Sequence, residues 1–207
     1  MPNYVQNVRR VVNPGKFQKV LEEVSDFIKN SKRNGAVSFT VSTPADMESS
    51  ITSAVSFESI SEVEKFHDDF RSNRESVSGF DRIGADCSSV GISLLRIIEV
   101  GGTPTGAAPK YFARNFFMAK RGEAQNLLDA VSEMNSSLTT GTMQIAIPAA
   151  GNLDAVRALS AVSSLEELEV WSDEAFSDKF KSNRQKIGEL TVRAMRNLSR
   201  VEYMKYS

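Results

Sequence analysis

Apolar and polar positions along this chain switch between a two-residue and a 3.6-residue rhythm. Val37, Phe39 and Val41 fall on one side of residues 36–42, and Ser38, Thr40 and Ser42 on the other. That alternation predicts a strand lying between two environments. Phe17, Val20, Leu21, Val24 and Phe27 instead recur at helical spacing, predicting a one-faced helix from about Lys16 to Lys32 that stops near Asn34-Gly35. Before it, Val5–Val12 reads as a strand ended by the turn signal Asn13-Pro14-Gly15. After it, a loop with Pro44 leads to a third strand over Ile51–Phe57. Ser59 and Glu62 have the spacing of a capping box, and Ile60, Val63, Phe66 and Phe70 form the apolar face of the helix they open. A last strand is expected over Ile92–Val100.

The same order then recurs. Tyr4 answers Tyr111 and Gly15 answers Gly122 at equal offsets, and the first helical stripe aligns with Ala124, Leu127, Leu128, Val131 and Met134. Met143, Ile145 and Ile147 repeat the alternation up to Pro148, Ala155–Val162 repeats the third strand, and Ser164 with Glu167 repeats the capping box. Phe70-Arg71-Ser72-Asn73-Arg74-Glu75 matches Phe180-Lys181-Ser182-Asn183-Arg184-Gln185. Eleven positions separate Ser59 from Phe70 but sixteen separate Ser164 from Phe180, so the second copy carries an insertion after Trp171. Its closing strand is expected at about Asn197–Tyr203. A repeat of this period decides the fold before any single motif does. It divides the chain into a first repeat at 1–100, a linker at 101–109 (Gly101 to Pro109) and a second repeat at 110–207.

Composition narrows the function classes. With 25 basic and 26 acidic residues, no global field draws the protein to nucleic acid or an anionic membrane, and no basic run carries interleaved aromatics. No apolar stretch reaches the roughly 20 residues of a membrane span. The single cysteine, Cys87, has no partner for an internal disulfide, and Met1-Pro2-Asn3-Tyr4-Val5 runs directly into a strand pattern without a leader signature. A cytoplasmic location is the expectation.

Strand-helix-strand-strand-helix-strand is the split β-α-β motif of ferredoxin-like folds, an antiparallel sheet with both helices on one face. The expected class is α+β: two ferredoxin-like β-α-β-β-α-β repeats whose sheets cover each other's bare faces in one barrel. Asn13-Pro14-Gly15-Lys16, the run Val55-Ser56-Phe57-Glu58-Ser59, and Ser164 to Trp171 resemble the dimeric α+β barrel superfamily, which includes antibiotic-biosynthesis and heme-degrading monooxygenases. The resemblance implies a ligand cleft between helices and sheet. In the heme-degrading branch it further implies an asparagine on strand one, a tryptophan ending strand three and a histidine on helix two. Here those positions fall at Asn115 or Val8, at Val162 or Phe57, and near Phe180. Neither half retains the set, so heme degradation is not expected. Cofactor-free oxygenation and simple ligand binding stay open, and no cofactor is expected.

Individual residues carry two readings each. His67, the only histidine, suits a general base or iron ligand because imidazole titrates near neutrality, but as a lone histidine beside Phe66 it reads first as a packed or surface residue. Arg9, Arg96, Arg114 and Arg157 fall in predicted strands, either converging on an anionic group or pairing with carboxylates such as Glu58, Glu99 and Glu202. Tyr111, Asn115, Phe117, Trp171 and Phe180, with Arg157, are the candidate ligand-binding residues of a second-half cleft, with ordinary packing as the competing account. Cys87 lacks a neighbour placed to activate it, Asp68-Asp69 reads as a solvated helix face, and Gly101-Gly102 with Gly106 lacks the strand-to-helix setting of a phosphate loop. No metal site is expected.

Two function classes follow. One is a monooxygenase-like protein that binds or oxidises a small apolar or aromatic molecule between helices and sheet. The other is a non-catalytic ligand-binding or structural barrel whose second repeat replaces a dimer partner. The expected partner is a small molecule, with the chain forming a pseudo-dimer by itself and further homo-oligomers left open.

Overall fold

The structure, a computed structural model, describes residues 2–102 and 108–205; most of the glycine- and threonine-containing linker, 103–107, lies outside the described residues. The first half runs β1 (Tyr4–Val12), α1 (Phe17–Asn30), β2 (Gly35–Ser42), β3 (Ile51–Phe57), α2 (Ile60–Ser72), α3 (Arg74–Ala85) and β4 (Cys87–Glu99). The second runs β5 (Tyr111–Ala119), α4 (Ala124–Ser136), β6 (Gln144–Pro148), β7 (Ala155–Val162), α5 (Leu165–Phe176), a 3-10 turn (Asp178–Phe180), α6 (Lys181–Leu190) and β8 (Thr191–Lys205).

All eight strands are antiparallel to their neighbours and close into one barrel in the order β1-β3-β2-β8-β5-β7-β6-β4. Each half supplies four adjacent strands, β4-β1-β3-β2 and β8-β5-β7-β6. The two sheets meet edge to edge rather than face to face, through a β2–β8 seam and a β4–β6 seam. Closure leaves each sheet without the free edges that invite association with other chains.

The helices lie outside the barrel over two separate apolar layers. Val20, Val24 and Ile28 of α1 pack on Val37, Ile51 and Val55, while Leu127 and Val131 of α4 pack on Ile145, Val156 and Ala158. These are the stripes and alternations visible in the sequence, and each such side chain contributes ~1.5–3 kcal/mol on burial. Both capping boxes form: Ser59 Oγ accepts from the Glu62 amide at 3.2 Å, and Ser164 Oγ from the Glu167 amide at 3.1 Å. In both, the glutamate reaches one residue ahead of the cap, to the amides of Glu58 and Ser163. Gly15 and Gly122 follow strand one of each half at φ +76° and +85°, a left-handed turn that favours glycine.

Four elements differ from the sequence expectation. The second helix of each half is broken in two. In the first half the break is at Asn73, whose side chain leaves α2 and caps α3 by accepting from the amides of Glu75 and Ser76. In the second, the inserted residues extend α5 and form the 3-10 turn before α6. The closing strands start earlier than expected, at Cys87 and Thr191. Ser88 to Ile92 of β4 are exposed on both faces, so no alternation marks them; pairing with β1 holds them as strand.

Candidate functional site

Strand alternation and register sort the candidate residues onto two faces. On β5, Tyr111, Asn115 and Phe117 face the helices, in the layer that holds Val156 and Ala158 of the paired β7. Phe112, Arg114, Phe116 and Met118 alternate with them and face the barrel interior, as does Arg157, the partner of Phe116 in register. Arg157 therefore does not join Asn115 in the helix–sheet cleft: the sheet itself separates them.

The second-half cleft is filled. Phe180 is 1% exposed and Trp171 7% exposed. The indole donates from Nε1 to the Thr140 carbonyl at 2.9 Å and covers Gly141 so closely that a Cβ there would lie 1.8 Å from the ring. Asn115 is occupied by a protein partner, its Oδ1 accepting from Arg196 Nε at 2.7 Å. Arg196 also reaches Ser172 Oγ of α5 at 3.3 Å, and burial lowers its pKa. Arg196 sits opposite Asn115 on β8, in the stretch that the sequence pattern left outside the closing strand.

The corresponding cleft of the first half holds a polar pair too. His67 Nε2 lies 2.6 Å from Oε1 of the buried Gln6 on β1. Two residues of the same β1 face further on, Arg10 donates to Ser53 Oγ at 3.1 Å and stacks over Phe80. Phe57, Phe66, Phe70 and Phe80 pack edge to face around this row. Neither Gln6 nor Arg10 carries a motif; only their place on the helix-facing side of the strand identifies them. Burial pushes the Cys87 thiol up more than nearby Arg10 pulls it down, which disfavours the thiolate.

Open volume lies elsewhere. A cavity of about 470 Å³ occupies the end of the barrel where β1 and β5 finish, beside the loop between β6 and β7. Its walls are mainly apolar, with Ile92, Phe116, Met118, Pro148 and Met195 prominent. Phe117 and Arg157 of the sequence candidates line it; Tyr111, Asn115, Trp171 and Phe180 do not. The Arg157 guanidinium stacks over Phe116 at 5.3 Å and donates to Ser93 Oγ of β4 at 3.3 Å, while its buried Nε has no acceptor among the described residues. Deeper in the barrel, Arg114 donates to Ser38 Oγ at 2.9 Å, and burial, reinforced by the like charge of Arg157, lowers its pKa to about 10. Neither arginine has a carboxylate partner among the described residues, against the pairing that the sequence left open. At the rim, Arg193 pairs with Asp46 of the β2–β3 loop.

Among the described residues, no three His, Cys, Asp or Glu side chains gather as metal ligands, and no helix is long and apolar enough to cross a membrane.

No family model and no curated protein matches the chain. Solved structures do. An anthrone oxidase-like protein is 16% identical, with a TM-score of 0.67 over 99% of this chain and 92% of that one. A candidate monooxygenase from Fusobacterium nucleatum is 8% identical, with a TM-score of 0.70 over 100% of this chain and 95% of that one. Another, from Lactobacillus acidophilus, is 8% identical, with a TM-score of 0.67 over 98% and 95%. These likenesses establish the fold, an eight-stranded antiparallel barrel of the dimeric α+β class completed by a single chain.

Proposed function

We propose that this protein binds a small apolar or aromatic molecule at the mouth of its barrel, and that the helix–sheet clefts serve chiefly as packing. The single observation carrying this reading is the cavity of about 470 Å³, within the range of small-molecule sites and lined mainly by aliphatic, aromatic and thioether groups. Arg157 is retained as a ligand contact; Phe117, which borders the cavity from a strand position whose side chain faces the helices, goes with the second-half core. Tyr111, Asn115, Trp171 and Phe180 are assigned to the second-half core. The test is a panel of neutral fused aromatics read by thermal shift and by methyl NMR of Met118 and Met195. Binding raises the melting temperature of the folded state and moves those two methyls. Ala155→Trp, which fills the cavity from β7, should abolish both signals. Binding that survives this block, with Met118 and Met195 unmoved, contradicts the reading.

Oxidation of the bound molecule is a second reading, favoured by the likeness to an anthrone oxidase-like protein and to two candidate monooxygenases. Oxygen uptake with anthrone, without added cofactor, tests it; no uptake above the uncatalysed rate leaves a binding protein.

We further propose that the chain arose by tandem duplication, with repeats at 1–100 and 110–207 joined by 101–109, and that its lone thiol fits a reducing, cytoplasmic setting. The matched capping boxes and the two left-handed glycines support the duplication. Separated halves would each expose unpaired β2–β8 and β4–β6 edges and should self-associate. Two folded monomeric fragments would contradict that.

A further inference from the structure

The charge inside the barrel specifies the ligand's polar end. Resting on the reading of the mouth cavity as a binding site, we infer that its ligand is an aromatic carboxylate, with the ring system in the apolar mouth and the carboxylate held by Arg157. Among the described residues, both charged groups of the cavity wall are cationic, Arg157 and Arg193, and no aspartate or glutamate lines it. Arg193 is already neutralised by Asp46. Arg157 is not, and the next guanidinium inward, Arg114, adds a second uncompensated positive charge behind it.

A guanidinium removed from water normally has a hydrogen-bonded anion beside it. Arg157 has only the long contact to Ser93 and the face of Phe116. Stacking on the ring engages the guanidinium's flat face, whereas a carboxylate is gripped along its edge. Without a locking acceptor, the side chain can turn that edge toward the cavity. Ser93 beside it offers a hydroxyl donor to the same oxyanion. The rest of the wall suits a flat hydrocarbon, since Met118 and Met195 are thioethers that adapt to irregular apolar shapes and contact rings favourably.

The probes are 2-naphthoate and its uncharged isostere 2-naphthamide, measured by calorimetry on the full chain. The expected result is about tenfold or tighter binding of the naphthoate, as charge-assisted bonds outweigh neutral ones, weakening selectively as salt is raised. Arg157→Met should erase the preference while naphthamide still binds, and Arg157→Lys should keep part of it. If the methionine variant melts below the assay temperature, the lysine variant and the salt dependence of the unmodified chain carry the test. Equal affinities for the two probes overturn this inference and leave the cavity reading standing. A preference that survives Arg157→Met but disappears in Arg193→Gln overturns it in favour of the rim cation. If neither probe binds and the Met118 and Met195 methyls stay still, the cavity reading fails and takes this inference with it.

Discussion

The two halves follow one plan yet secure the same joint by different chemistry. In each, the loop leaving the first helix must be held against the helix that follows strand three. In the first half this falls to Arg33, which stacks on Phe57 and Phe66 and pairs with Glu62 at 3.1 Å. The second half uses Glu174, one of the inserted residues, whose carboxylate accepts from the amides and hydroxyls of both Thr139 and Thr140 at 2.6–3.1 Å. Burial pushes that carboxyl up, but the threonine donors outweigh it and hold the pKa at about 2. The first joint is an adjustable surface contact and the second a satisfied, directional one. The directional joint lies beside the cleft that Trp171 and Phe180 fill.

The sharpest way to break this contrast is at the two glycines that open β2 and precede β6. Gly141→Ala drives a methyl into the Trp171 indole and should cost ~3 kcal/mol, a fall of roughly 10 °C in melting temperature. Adding Trp171→Leu should recover part of that loss. Gly35→Ala meets the Ala54 backbone carbonyl at 2.5 Å instead, so no side-chain change should rescue it. Rescue at both sites, or at neither, removes the distinction.

Glu174→Gln should cost ~2 kcal/mol at neutral pH and change the acid response. A carboxyl whose folded pKa lies near 2, below its unfolded value of 4.5, stabilises the fold above about pH 4.5 and loses that contribution as pH falls toward 2. Urea melts across this window should slope for the unmodified chain more steeply than for the variant; parallel slopes contradict the assignment. Asn115→Ala should cost ~1–2 kcal/mol because it strands the Arg196 guanidinium, whereas Gln6→Ala should cost less, since its partner His67 is exposed and can turn to water. Smallest are Ser59→Ala and Ser164→Ala, each ~1 kcal/mol and equal within error if the two helix starts are equivalent. Differential scanning calorimetry resolves all of these.

Most of the fold was legible because the residues that build it carry period. The stripe of α1, the alternation of β2 and the capping serines each state their element locally, and their recurrence states the topology. The broken second helices were not legible, because Asn73 caps α3 within a serine-rich run (Ser72, Ser76, Ser78, with Gly79) that offers no clean helical stripe from which to read a second start. The early starts of β4 and β8 were hidden for another reason: Ser88 to Ile92 become strand through pairing with β1, a long-range fact. That same gap hid Arg196, and with it the true partner of Asn115. The site was legible only in part. Arg157 reads as a strand arginine, but the face it occupies depends on one-residue register, which the pattern of this strand does not set, and the true face lies across the sheet from the expected cleft.

The seams of the barrel are unequal. β2 and β8 pair from Gly35 opposite Lys205 to Ser42 opposite Leu198, with register shifts after Val37 and after Thr40, whereas β4 meets the short β6 only between Leu95 and Glu99. Beyond Leu94, whose carbonyl accepts from the Ala149 amide, β4 pairs with β1 alone toward the cavity. A ring parts first at its weakest clasp, so slow breathing of this protein should begin there, and amide hydrogen exchange at Ile145 and Ile147 should outpace that at Val37 and Phe39. Beside the cavity, such a clasp is also the natural door.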